Sequence, residues 1–311
     1  MSMIVCDMHC DSLTYAPSSG ALVNRYNFSD KYSQLQLSAL FIRKNGRSSD
    51  EMRDELMARA RRFESACRRF SVKPVFDRRD LDALEGERVR CAMLTLEGGG
   101  GLTADPHTLS LLYRFGLRVM SFAWEGTKLC ASSRDRDDYG LTDAGRALTK
   151  ECERIGITVD VSHISDRAFY GILEETESAV IATHSNLRAV VPSPRNLTDG
   201  MAREIARRGG VIGLNLYPPF LSGDSKATEY DIIKQVDHAL SLLGDGCLGF
   251  GFDIDGVGEN YPDFLSKERS MHDRVIEMLL REYPTVTVER ISGKNVYEFF
   301  KRQMKVEGCD L

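Results

Sequence analysis

Met3-Ile4-Val5-Cys6-Asp7-Met8-His9-Cys10-Asp11 is a short apolar run that ends in His-x-Asp. Side chains at i and i+2 of a strand share one face, so His9 and Asp11 are placed to reach one metal ion from a strand end and the loop beyond it. His-x-Asp alone is common. Its weight comes from Glu97, His163, His184 and Asp253, each of which also closes a β-like run. Metal-competent side chains at five strand ends predict one site gathered from distant pieces of chain.

Apolar runs alternate with helical patterns almost throughout, as βαβ units of a parallel sheet do. Eight strands are expected: Ile4–Met8, Leu35–Ile42, Arg90–Leu96, Leu117–Phe122, Ile157–Val161, Ala179–Thr183, Gly210–Leu216 and Leu248–Phe252. Most lack clean alternation, which suits strands covered on both faces. Between them, Asp50 is read as the N-cap of a helix with a stripe at Met52, Leu56, Ala60, Phe63 and Cys67. Thr142 caps another that stops at Gly156. Asp166–Glu175, Thr198–Arg208, Glu229–Leu243 and Ser270–Arg281 continue the pattern. Without a strong linker, the expectation is an α/β chain folded as one (β/α)₈ TIM barrel over residues 1–311. Pro17–Lys31 and Glu125–Gly140 are long polar connections, equally readable as lids or as plain surface loops.

Composition sets outer bounds. The chain has 311 residues, 42% hydrophobic and 28% charged, with a formal charge of −5, as in an ordinary globular protein with ample core. That charge argues against nucleic acid or an anionic membrane as partner. Eight scattered cysteines without a Cys-x-x-Cys pair, no leader pattern and no membrane-spanning run point to a reduced, cytoplasmic protein without a lipid anchor.

Glu97 leaves its strand into Gly98-Gly99-Gly100-Gly101, where backbone can approach a ligand without Cβ hindrance. This run is no phosphate loop, because no Gly-Lys-Ser/Thr follows. His163 and His184 end successive strands, each after a small hydroxyl residue, which favours metal over two unrelated core histidines. His107, His238 and His272 fall on helical patterns and read as surface or cap residues. Asp253, at the eighth strand end, is placed to touch both metal and attacking water and so to act as general base. His, Asp and Glu without thiolates favour a divalent ion such as zinc, with manganese, iron or cobalt as alternatives. Two ions would need a shared anionic ligand to offset their repulsion, and Glu97 between two clusters would supply it. The set divides into His9, Asp11 and Glu97 on one ion, and Glu97, His163 and His184 on the other, roughly 3.5–4 Å apart.

With these residues in hand, the chain resembles the membrane dipeptidase (renal dipeptidase) family, peptidase family M19, among the amidohydrolase-like metal-dependent hydrolases. Asp7-Met8-His9-Cys10-Asp11 matches the family's opening block, and Leu96-Glu97-Gly98-Gly99 its Glu-Gly-Gly. Gly140-Leu141-Thr142, Asp160-Val161-Ser162-His163, His184-Ser185, Arg195-Asn196, Gly249-x-Gly251-x-Asp253-Ile254-Asp255-Gly256 and Gly293-Lys294-Asn295 follow in order. The resemblance implies a binuclear zinc peptidase that cleaves dipeptides, often tolerating a C-terminal D-residue, by way of a metal-bridging hydroxide. It implies that His9, Asp11, Glu97, His163 and His184 bind metal and that Asp253 is the base. It further implies that Arg195 pairs with the dipeptide's C-terminal carboxylate and that Tyr217 lines the pocket. Trp124 stands where the renal enzymes carry a His that helps hold the substrate oxyanion. An indole N–H donates one hydrogen bond but brings no charge.

A dipeptide-like amide is the expected substrate, with another small amide or a lactone as the alternative. Lysine-bridged relatives on this fold differ, since no Lys ends a strand here. A non-catalytic metal-binding barrel is the remaining alternative, and Asp253 speaks against it because ligand binding alone needs no base. Such barrels are commonly homodimers, although no interface can be read from the chain.

Overall fold

The computed structural model describes residues 3–14, 22, 27–42, 46–86, 88–99, 102, 105–257, 260–265 and 270–305. Its strands are β1 (Ile4–Cys10), β2 (Ser33–Phe41), β3 (Lys73–Pro74), β4 (Arg90–Glu97), β5 (Leu117–Ser121), β6 (Thr158–Asp160), β7 (Ile212–Leu214) and β8 (Leu248–Phe250). They form one sheet in the order β6-β5-β4-β2-β1-β8-β7, with β3 paired to the start of β4. All ladders are parallel, and helices such as Asp143–Ile155, Asp166–Glu175, Asp199–Arg207 and Glu229–Leu243 make the crossovers. The architecture is the expected α/β barrel.

The expected strand Ala179–Thr183 is instead two isolated bridges, Asp160↔Ile181 and Ala182↔Ile212, which carry the ring from β6 to β7. Side chains have replaced ladder partners here. Thr183 N–H donates to Asp160 Oδ1 at 2.9 Å, and His184 N–H to Ser162 Oγ at 3.1 Å. This brings the Thr183 backbone against β7 and the end of β8, where only glycine fits. A Cβ on Gly251 would sit 1.8 Å from the Thr183 carbonyl oxygen, and one on Gly213 2.1 Å from it. The apolar run read as strand thus keeps backbone partners at Ile181 and Ala182 but loses its ladder at Thr183, whose amide goes to Asp160.

Two smaller differences have local causes. The helix Ser49–Ala60 is capped by Ser48 rather than Asp50: Ser48 Oγ accepts from Glu51 N and Glu51 Oε2 accepts from Ser48 N, a closed capping box. Thr142 and Gly156 (φ 89°) do bound the helix Asp143–Ile155 as expected. Pro17–Lys31 lies largely outside the described residues, as do Gly100, Gly101 and Cys309.

Buried residues sort by strand parity into two clusters. Cys6, Met8, Leu35, Leu37, Cys91 and Met93 share the barrel interior with the C-terminal residues Val296, Phe299 and Phe300, which plug its floor. Val5, Leu40, Ala92 and Leu94 face the helices. Gly293 seats directly on β1, where a Cβ would meet Ile4 O at 2.4 Å and Cys6 N at 2.7 Å. Asn295 Nδ2 donates to the carbonyls of Asp245 and Leu248. The Gly-x-Asn block therefore serves packing at the floor, opposite the strand ends that carry Glu97 and Asp253. The described cysteines are all free and buried. Among the described residues, no helix is long and apolar enough to cross a membrane.

Gly251→Ala is expected to lower the midpoint of urea unfolding by an amount equivalent to about 2 kcal/mol or more, since backbone must move to admit the methyl. Gly246→Ala, with nothing within 4 Å of the added carbon, should leave the midpoint within experimental error.

Candidate metal centre

β1 carries an extra residue before its end: Asp7 pairs with Gln36 but Cys10 with Ser38. Such a bulge re-aims the side chain it contains, and here that chain is His9. The bulge is fixed by Asp7, whose Oδ1 accepts from His9 N at 3.2 Å and from Phe252 N at 3.0 Å, tying β1 to the chain leaving β8. Asp7 Oδ2 is 3.0 Å from His272 Nε2. His272, expected on the surface or at a cap, is buried and stacked on Phe252, with ring centroids 4.5 Å apart. It sits in the first turn of the helix Met271–Glu282, whose start faces the barrel wall. His107 is exposed as expected, and His238 pairs with Asp199.

The six predicted side chains meet. Glu97 Oε2 is 3.5 Å from His9 Nε2, and its Oε1 is 2.8 Å from His163 Nε2 and 3.5 Å from His184 Nε2. His9 Nε2 is also 3.6 Å from Asp11 Oδ2 and 3.9 Å from Asp253 Oδ1. All six residues are buried. Ligand atoms of His9, Glu97 and His184, and again of His9, Asp11 and Asp253, lie within 4.8 Å of one another. His9 belongs to both groups, and its ring is stacked on that of His184 with centroids 3.7 Å apart.

Charge explains that arrangement. Burial alone would lower the His9 pKa, but Glu97 and Asp11 outweigh it and raise the value well above normal, so His9 is the cation among three carboxylates. Burial lifts Glu97 to about 7 even with His9 beside it. It also raises Asp253, and it depresses His163 and His184, which stay neutral.

Hydrogen bonds set the tautomers. Thr183 Oγ1 donates its one proton to Asp160 Oδ2 at 2.6 Å, so at 2.8 Å it accepts from His184 Nδ1–H. His184 Nε2 is left as a lone pair facing Glu97, the form a metal ligand needs. Arg195 Nε donates to His163 Nδ1 at 3.1 Å, which puts the neutral ring's proton on Nε2. A metal on that Nε2 requires the proton on Nδ1, so the Arg195 contact and metal ligation exclude one another. Arg195 also donates to Ser185 Oγ and the His184 carbonyl, and burial lowers its pKa to about 10.

The residues fit a metal cluster on three observations. His9 Nε2 and Asp11 Oδ1 are buried without a hydrogen-bond partner. The donors are carboxylate oxygens and imidazole nitrogens, suited to divalent ions. The third is a space kept open by glycine: a Cβ on Gly256 would lie 2.1 Å from Asp253 Oδ1 and 2.3 Å from Asp11 Oδ2. His163, Asp253 and Asp255 take φ of 69°, 61° and 67°, so the left-handed region recurs at the site. Asn215 Nδ2, unforeseen in the sequence, donates to Asp253 Oδ2 at 3.1 Å. Asn215-Leu216-Tyr217 offered no signal for it beyond its place after an apolar run.

Trp124 is half-buried, its ring 6.2 Å from that of His163 and 5.2 Å from Phe41. A cavity of about 280 Å³ opens beside it, walled by Phe41, Ile42, Met52, Gly98, Trp124 and Lys128 among others. Tyr217 packs edge-on against Phe220, whose ring is 5.7 Å from the Arg195 guanidinium, and so reaches the site through Phe220. Residues 125–128 form part of this wall, and the loop that continues to Gly140 is hooked to His163 by Ser133 N–H donating to its carbonyl at 2.7 Å.

Gly256→Ala is expected to cut divalent-metal affinity by roughly 10–100-fold in calorimetric titration, and His272→Ala to lower it through the Asp7 clamp. Affinity should also fall as pH drops from the alkaline side through about 7, because the metal must displace the proton that His9 holds well above its usual pKa and, near 7, the one that Glu97 takes up.

A family model described as membrane dipeptidase (peptidase family M19) matches residues 11–307. An uncharacterised protein in the pqqA 5′ region of Klebsiella pneumoniae is 28% identical over 227 residues, 70% of this chain and 83% of its own length. Dipeptidase tcpJ of Claviceps purpurea is 31% identical over 212 residues, 67% of this chain but 50% of its own, so the match spans half of that relative. A metallopeptidase from Rhodobacter sphaeroides, solved with a phosphinate mimic of L-Ala-D-Ala, superposes with a TM-score of 0.85 at 21% identity over 97% of this chain and 100% of its own. Dipeptidase AC, of the same peptidase family, gives 0.86 at 22% identity over 98% and 100%. At such identities these likenesses speak for the fold, and the family rests on the match along nearly the whole chain: it belongs to the membrane dipeptidase family, peptidase family M19.

Proposed function

We propose that the chain is a metal-dependent dipeptidase holding two divalent ions, zinc foremost, and acting on small dipeptides, including those with a C-terminal D-residue. The observation that carries this is the split of Glu97, one oxygen toward His9 and the other toward His163 and His184. A carboxylate so divided suits two cations, whose repulsion it offsets. His9, Asp11 and Glu97 would hold one ion, with Asp253 beside it, and Glu97, His163 and His184 the other. Bound ions would supply Lewis acidity toward the scissile carbonyl and make a water acidic near neutral pH.

The chain's own residues do the rest. Asp253 takes the proton of the attacking water on Oδ1, the oxygen facing His9, while Asn215 holds Oδ2. It then delivers that proton to the departing amine. Burial raises its pKa and so moves it toward the pH at which it must both accept and give. Arg195 meets the C-terminal carboxylate through its planar guanidinium once it leaves the His163 ring. Trp124 lines the adjoining cavity and brings no charge, so bound ions would supply most of the oxyanion stabilisation. The tolerance for a D-residue rests on the family and on the L-Ala-D-Ala mimic bound by the Rhodobacter sphaeroides protein.

A panel of L,L- and L,D-dipeptides, assayed with zinc-reconstituted protein beside Asp253→Asn, tests this. The variant should lose about 10²–10⁴-fold in kcat. If the wild type cleaves no member faster than the variant does, the dipeptidase reading is wrong.

A further inference from the structure

We propose that Arg134 is a specificity residue of this site and that it selects dipeptides whose side chain carries a carboxylate. The inference rests on the dipeptidase reading and names a substrate class within it. The Arg134 guanidinium carbon lies 4.2 Å from the centroid of the Trp124 ring, which itself packs toward His163. Arg134 is exposed, yet its backbone is fixed. Ser133 N–H is bonded to the His163 carbonyl, Arg134 N–H donates to Ser132 Oγ at 3.2 Å, and Ser132 bridges to Ile164.

Two acids of the same loop are otherwise engaged. Asp135 accepts from the amides of Gly126 and Ser132 at 3.2 and 2.8 Å, and Asp138 accepts from Ser165 Oγ and Arg167 N. Among the described residues, neither Arg134 nor Arg195 forms an ion pair with a carboxylate; Arg195 spends its donors on His163, Ser185 and the His184 carbonyl. Two guanidiniums thus border one site, neither of them ion-paired to a carboxylate among the described residues. An anionic ligand can pair with guanidiniums left in this way. With the backbone carboxylate assigned to Arg195, the second anion is a side-chain carboxylate, as in an aspartyl or glutamyl residue. Lys128 on the wall of the adjoining cavity adds positive charge, and the exposed Glu125 beside it opposes. A developing oxyanion would also attract Arg134, but it is common to every dipeptide and confers no selectivity.

The experiment compares Ala-Asp and Ala-Glu with their amide isosteres Ala-Asn and Ala-Gln and with Ala-Lys, each in both configurations of the second residue. Zinc-loaded wild type, Arg134→Gln and Arg134→Lys are assayed for kcat and KM. Binding of the same peptides to zinc-loaded and metal-free protein is measured by calorimetry. The wild type should favour acid over amide by about tenfold in kcat/KM, mostly through KM. Arg134→Gln should bring that ratio close to one, and Arg134→Lys should restore part of it. A wild-type ratio below about two, a ratio unchanged in Arg134→Gln, a preference for Ala-Lys, or an equal fall in kcat for all peptides each overturns the proposal. Should no peptide be hydrolysed, the dipeptidase reading falls alone. The binding arm then decides: tighter binding of acid than amide that depends on Arg134 upholds the proposal, and equal binding sinks it.

Discussion

Three carboxylates, Asp11, Glu97 and Asp253, are buried around one imidazole, and the rest of the barrel is arranged to tolerate them. Like charges at such range in a protein interior cost several kcal/mol unless a cation or a proton answers them. His9 does so here by staying protonated, and Glu97 by titrating near neutrality. A group this unfavourable for folding is kept where it is needed for something else. Divalent cations are the natural counter-charge, and the donor set is theirs.

Holding the cluster demands backbone that ordinary strands do not provide. The β1 bulge turns His9 inward, Asp7 locks it to the chain beyond β8, and His272 backs Asp7 from the last third of the molecule. Asp160 and Thr183 orient the His184 ring while breaking the ladder of the segment that carries it. Gly213, Gly251 and Gly256 then take the close approaches that result. Strain and irregularity are concentrated at the rim where ligands converge, whereas the floor is packed with Val296, Phe299 and Phe300. Rigidity below and irregularity above is how barrels commonly separate stability from chemistry.

Much of this was legible in the chain itself. Seven strands follow from apolar runs, because burial on both faces leaves Val, Ile, Leu and Cys with no other home. His9, Asp11, Glu97, His163, His184 and Asp253 were readable from their places at strand ends. What escaped was anything set by contacts between distant residues. Ala179–Thr183 reads as strand, since nothing local reveals that Asp160 will claim the Thr183 amide and Ser162 the next one. His272 sits on an amphipathic helix, and its burial depends on Asp7 and Phe252 far away in sequence. Asn215 and Arg134 gain meaning only from neighbours, Asp253 for one and Trp124 for the other.

The seat of Gly293 on β1 joins segments far apart in sequence, and it bears on how the molecule is made. β1, with His9, is made well before both its β8 neighbour and the helix that plugs the floor. Until Phe299 and Phe300 arrive, the inner face of β1 and β2 has no floor to pack on. Contacts spanning nearly the full length close late and slowly. Until those residues are made, a nascent chain leaves this apolar inner face open to other chains, the kind of exposure that invites misassembly.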